Sequence, residues 1–99
     1  MIYIVDIDGT IANTENSDYK NSKPILCRIK KINELYDQGH TIIYMTARGA
    51  ISKTDWKDFT AKQLEEWGVK YTSLEIKKPH YDIWIDDKAF NVDVIFGDE

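Results

Sequence analysis

The stretch IYIVDIDGT at residues 2–10 decides how this chain folds. Ile2, Tyr3, Ile4, Val5 and Ile7 form an apolar run interrupted only by Asp6. That is the pattern of a strand buried in a parallel sheet, not of a half-exposed strand with alternating polarity. The run ends in Asp8-Gly9-Thr10, and residues 8–23 are rich in Gly, Asn, Ser, Thr and Asp, which reads as a loop with a small hairpin. A buried strand therefore delivers two acids to a polar loop. Residues two apart on a strand share a face, so Asp6 and Asp8 point the same way.

Outward from this strand, helical and extended patterns alternate. Ser22 is placed to cap a helix with Pro24 in its first turn. Ile25, Ile29, Ile32 and Tyr36 recur at helical spacing, joined by Leu26 and Leu35, and Gly39 ends the helix. Residues 41–46 form a second strand. Thr54 or Asp55 caps a second helix running to about Trp67, with Trp56, Phe59, Thr60, Leu64 and Trp67 along one side and Gly68 as its stop. Residues 69–76 read as a weaker strand, 83–85 as a short buried one and 92–96 as an edge strand. The expected fold is α/β: a three-layer, Rossmann-like arrangement around a central, mostly parallel sheet, with right-handed crossovers. No linker or repeat divides residues 1–99, so the expectation is a single domain.

Composition agrees with a globular protein. Hydrophobic residues are 42% and charged residues 30% of the 99, too apolar for a disordered chain. No apolar run approaches the roughly 20 residues needed to span a bilayer, and no signal-like segment opens the chain, so no membrane partner and a cytoplasmic location are expected. Cys27 is the lone cysteine, which excludes an internal disulfide; among Ile25, Leu26 and Ile29 it reads as a small core residue. The net charge of −4 disfavours nucleic acid as a partner.

In open α/β sheets ligands bind beyond the carboxyl ends of the strands. The polar residues of this chain fall there: Asp6, Asp8, Gly9 and Thr10 after the first strand, Thr46, Ala47 and Arg48 after the second, Lys78 after the third, Asp86 and Asp87 after the fourth. Clustered carboxylates call for a cation, and an all-oxygen donor set suits Mg2+. Mg2+ with Lys78 gives an acidic protein a local site for an anion. Gly9 lets the backbone approach a phosphate closely. Thr46 and neighbouring amides such as that of Ala47 can donate to phosphate oxygens. Arg48 belongs with these groups as a substrate contact, a structural ion pair being the alternative. Lys78 is preferred to Lys77 because Pro79 fixes the backbone immediately after Lys78. His80, close to the site, reads as a plain loop residue with substrate contact as the alternative, His40 carries no role, and Lys20, Lys23, Arg28, Lys30 and Lys31 read as a solvated face.

The order DIDGT at 6–10, Thr46, Lys78 and Asp86-Asp87 resembles the haloacid dehalogenase superfamily, the matching pieces running from Val5 to Ala89. GHTIIYMTARG at 39–49, the Lys78-Pro79 pair with Asp82, and IDDKA at 85–89 look like the small capsule-biosynthesis and sugar-phosphate phosphatases of bacteria and phages. Lys77 departs from that subgroup, which often has Gly there. The resemblance implies a phosphomonoesterase. Asp6 would be the nucleophile that forms an aspartyl-phosphate, and Asp8 the acid and then the base. Asp6, the Asp8 carbonyl and Asp86 would hold Mg2+, with Asp87 supporting them. Thr46 and Lys78 would hold the phosphoryl group. The intervals between motifs leave no room for a cap domain. Capless members take large substrates or borrow a neighbouring subunit as a lid, so a homo-oligomer is one expectation.

The implied substrate is a small phosphorylated metabolite such as a sugar phosphate. The alternatives are a polynucleotide 3′-phosphatase and, from another class, a receiver-like phospho-accepting signalling domain. The order of motifs weighs against the receiver, in which the acceptor acid comes after the acidic pair.

Overall fold

The computed structural model describes residues 1–50 and 55–97. Its elements are β1 (Ile2–Val5), β2 (Ala12–Asn13), β3 (Lys23–Pro24), α1 (Leu26–Asp37), β4 (Thr41–Met45), α2 (Lys57–Glu66), β5 (Ser73–Glu75) and α3 (Val92–Phe96). It is an α/β protein built on a parallel three-stranded sheet of order β1-β4-β5. Val5 lies opposite Tyr44, and Tyr44 opposite Leu74. Their side chains share one sheet face, with Tyr3 and Ile42, and join Ile29, Ile32 and Leu64 of the helices in a single core. Both crossovers step in the same direction along the sheet, so right-handed connections place α1 and α2 against this same face. The opposite face holds Ile2, Ile4 and Ile43; Ile2 is 71% and Ile4 63% exposed.

The loop after β1 is a tight turn. The Ile7 carbonyl accepts from the amides of Thr10, Ile11 and Ala12 at 3.1, 2.9 and 3.2 Å. Gly9 takes a φ of +89°, which favours glycine, and its amide donates to Ala12 at 2.8 Å. β2 then pairs antiparallel with β3, the small hairpin expected in this loop.

Several expectations are corrected. Ser22 does not cap α1: the helix starts at Leu26, after Lys23-Pro24 has paired as β3, and its N-cap Ile25 makes no side-chain cap bond. Asp55 accepts from the Lys57 amide at 3.0 Å just ahead of α2, while Thr54 lies outside the described residues. The strand expected over 69–76 shrinks to Ser73–Glu75. Residues 83–85 pair with no strand and are exposed, and 92–96 form α3 instead of a strand. The Asn91 side chain accepts from the Asp93 amide at 2.9 Å, an N-cap that turns a β-branched segment into a helix. Cys27 is exposed, and Arg28, expected on the solvated face, is buried and donates to the Thr10 carbonyl at 3.0 Å. No helix among the described residues is long and apolar enough to cross a membrane.

Candidate active site at the strand tips

The carboxyl ends of β1 and β4 open into a cavity of about 250 Å³, lined by Asp6, Asp8, Thr46, Ala47, Lys78 and His80 together with Thr14, Ser17 and Tyr19 of the loop after β1. A larger hollow of about 660 Å³ lies along α2, from Asp58 to Tyr71. Its charged rim of Asp58, Lys62, Glu65 and Lys70 mixes both signs and carries none of the strand-end residues, so the chemistry belongs to the smaller cavity.

Asp6 is partly exposed and holds two donors. Lys78 Nζ lies 3.2 Å from Oδ1, and the Thr10 hydroxyl donates to Oδ2 at 3.4 Å. Burial pushes the Lys78 ammonium down, but the Tyr81 hydroxyl and the Asp6 carboxylate outweigh it and leave its pKa above the ordinary 10.5. Lys78 is a fixed positive charge, its ammonium 5.1 Å from the Tyr81 ring centre and 6.0 Å from that of Trp84.

Asp8 is held more tightly. Arg48 grips it with one edge of its guanidinium: Nη2 donates to Oδ1 at 2.8 Å and Nε to Oδ2 at 3.0 Å. The Thr14 hydroxyl donates to Oδ1 at 2.6 Å and itself lies 2.6 Å from the Ser22 hydroxyl. The rest of the guanidinium faces inward. Nη1 donates to Gln63 at 2.7 Å and to Thr60 at 3.2 Å, and the cation lies 4.6 Å from the Tyr19 ring centre. Gln63 in turn donates to the Tyr19 carbonyl at 2.8 Å. Arg48 borders the cavity, but its donors are engaged in this ion pair and not turned to a substrate. Thr46 is buried, and its hydroxyl accepts from the Arg48 amide at 3.2 Å, which leaves its own proton free to donate. The Gly9 and Thr10 amides are engaged within their turn, so these two residues shape the site without lining the cavity.

Asp86 and Asp87 are not brought to this site. Asp86 lies in an exposed turn, accepting from the Lys88 amide at 2.9 Å and the Trp84 indole at 3.4 Å. The Lys88 amide first, then contact with Asp87 and with Trp84, hold its carboxyl below the usual range. Among the described residues no group of three His, Cys, Asp or Glu is placed to hold a metal ion. Asp6 and Asp8 supply hard oxygen donors suited to Mg2+, which one or two carboxylates can hold together with phosphate oxygens and water, and both Asp8 oxygens already accept from Arg48.

Sequence reading found Asp6, Asp8, Thr46 and Lys78, which the structure does gather. It missed Thr14, Ser17 and Tyr19, whose loop carries no periodic signal. It also missed Thr60 and Gln63 as partners of Arg48. The one available sign was the position of Gln63 beside Leu64 on the inward side of α2.

No family model and no curated protein matches this chain. Among solved structures it is similar to the crystal structure of an MCSG target from Vibrio cholerae, with a TM-score of 0.86 and 27% identity over 99% of this chain and 89% of that one.

Proposed function

We propose that this chain is a phosphomonoesterase of haloacid dehalogenase type, acting on a sugar phosphate or a related small phosphorylated metabolite. The observation that carries the reading is the meeting of Asp6, Asp8, Thr46 and Lys78 around one small cavity at the strand tips. Asp6 is the more open of the two acids, and Lys78 and Thr10 orient its carboxylate, as a nucleophile requires. Attack forms an Asp6–phosphorus bond as the bond to the leaving oxygen breaks. Asp8, once it has taken up a proton and released one of its Arg48 bonds, passes that proton to the leaving oxygen and then takes one from the water that hydrolyses the aspartyl-phosphate. Arg48 and Thr14 fix the position from which Asp8 does so. Lys78 and the Thr46 hydroxyl neutralise and hold the phosphoryl oxygens. Mg2+, held by Asp6 and Asp8, would add charge neutralisation there. The finer architecture belongs to the same proposal: a capless, three-layer Rossmann-like fold around the parallel sheet.

The test is release of inorganic phosphate from p-nitrophenyl phosphate and a panel of sugar phosphates and nucleotides, with Mg2+, with EDTA, and with Asp6→Asn. Metal-dependent turnover abolished by Asp6→Asn is expected. Full activity in Asp6→Asn would sink the mechanism.

A further inference from the structure

Gln63 does not border the cavity, yet it joins two parts of the site that must agree. It lies on α2 and is buried. Its side-chain carbonyl accepts from Arg48 Nη1 at 2.7 Å, and its amide donates to the Tyr19 carbonyl at 2.8 Å. The side chain cannot be turned round. A guanidinium only donates and a backbone carbonyl only accepts, so the oxygen must face Arg48 and the nitrogen Tyr19.

One arm leads to Asp8. When Asp8 gives up one of its Arg48 bonds to pass on a proton, the guanidinium must keep its place while its partner shifts. The anchors for that are Thr60 and Gln63, which sit on one helix and both accept from Nη1. Gln63 makes the shorter bond, 2.7 Å against 3.2 Å.

The other arm leads to the loop after β1. The tip of that loop is strained: Asn16 and Ser17 take φ values of +52° and +60°, which residues with a Cβ rarely adopt. Such a conformation persists where its surroundings fix it. The Thr14 and Ser22 hydroxyls, 2.6 Å apart, close the base of the loop. Tyr19 is held by Gln63 at its carbonyl, and at its ring by Arg48 at 4.6 Å and Trp56 at 5.0 Å. Ser17 and Tyr19 form part of the cavity wall. One side chain thus fixes both the wall and the partner of the acid.

We infer that Gln63 is a positioning residue, which holds Asp8 and the wall of Ser17 and Tyr19 in one register, so that a leaving group admitted by the wall meets the acid. The aim of the acid rests on the phosphatase reading; the tie to the loop does not.

The test compares wild type, Gln63→Met and Gln63→Glu on p-nitrophenyl phosphate and phenyl phosphate. The two esters have nearly the same shape, but phenolate is the more basic leaving group and needs the proton more. Their kcat/KM values report the steps up to transfer onto Asp6, where that proton is given. Gln63→Met removes both arms, so kcat/KM should fall about tenfold further on phenyl phosphate than on p-nitrophenyl phosphate. Gln63→Glu keeps an acceptor for Arg48, so the ratio between the esters should stay near that of wild type. Its second oxygen repels the Tyr19 carbonyl. In both variants hydrogen exchange at residues 14–22 should quicken relative to the amides of β4, which report the fold. Gln63→Asn, too short to span Arg48 and Tyr19, gives the same two readings should Gln63→Met not fold. Equal losses on the two esters would make Gln63 a packing residue and overturn the aim of the acid. A Gln63→Glu ratio shifted as far as that of Gln63→Met would do the same. Loop exchange matching wild type would overturn the tie to the loop. A wild type that turns over neither ester removes the phosphatase reading and the aim of the acid with it, and exchange alone then decides the tie.

Discussion

At the scale of single residues, Arg48 is the contact on which site and fold both depend. Its side chain is fully buried and bonds Asp8, Thr60 and Gln63 at once. Arg48→Met strands Asp8 and leaves two buried acceptors unpaired, which costs about 3 kcal/mol. The measurable result is a melting temperature lower by on the order of 15 °C. Arg48→Lys keeps the charge but not the fork, so it should restore part of the stability while leaving Asp8 misaligned and turnover low. Tyr44 offers the opposite case. Its ring is buried edge-on to Tyr71 at 6.1 Å, yet its hydroxyl has no partner among the described residues, and burial pushes its pKa well above the ordinary 10.0. Tyr44→Phe removes the unsatisfied group and keeps the packing, so it should stabilise by about 1 kcal/mol, read as a higher urea midpoint. Lys78 gives the pH dependence. Its folded pKa lies above its ordinary value, so the ammonium's contribution is fully present below pH 10.5 and is lost as pH rises through the raised value. The stability gap between wild type and Lys78→Met should therefore hold from neutral pH to about 10 and close above it, in urea titrations across that range.

At the scale of elements, α3 shows how one side chain holds a short segment in place. A helix of five residues has no independent stability, and this one is fixed by the Asn91 cap and by Phe96, buried against α1. Phe96→Ala should cost about 3 kcal/mol and release the segment, which limited proteolysis near residues 92–97 would report. α3 also marks where sequence reading fails. Val92, Val94, Ile95 and Phe96 favour a strand by composition, and the single cap at Asn91 overrides them. β1, β4, α1 and α2 were legible because their apolar periods are long and end in glycines at 39 and 68. Arg28 and Gln63 were not, because a hydropathy pattern assigns polar residues to solvent, whereas Thr60 was already placed on the apolar side of α2. What buries Arg28 and Gln63 is long-range: a carbonyl at Thr10 and a guanidinium at Arg48. At the site, Asp6, Asp8, Thr46 and Lys78 were legible because each comes after an apolar run. The orientation of Arg48 was not, since substrate contact and ion pair place the same residue at the same strand end.

At the scale of the whole molecule, the site is assembled from distant parts of the chain: Asp6 and Asp8 after β1, Thr46 and Arg48 after β4, and Lys78 beyond β5. Its ion pairs therefore depend on the packing of the whole sheet. Residues 79–91, which follow Lys78, are exposed, and Ile85 is 93% exposed. Ile85→Lys should then move stability by no more than about 0.5 kcal/mol, read as an unchanged urea midpoint. A loss several times larger would mean that Ile85 is covered in solution, because only a covered position makes a lysine costly.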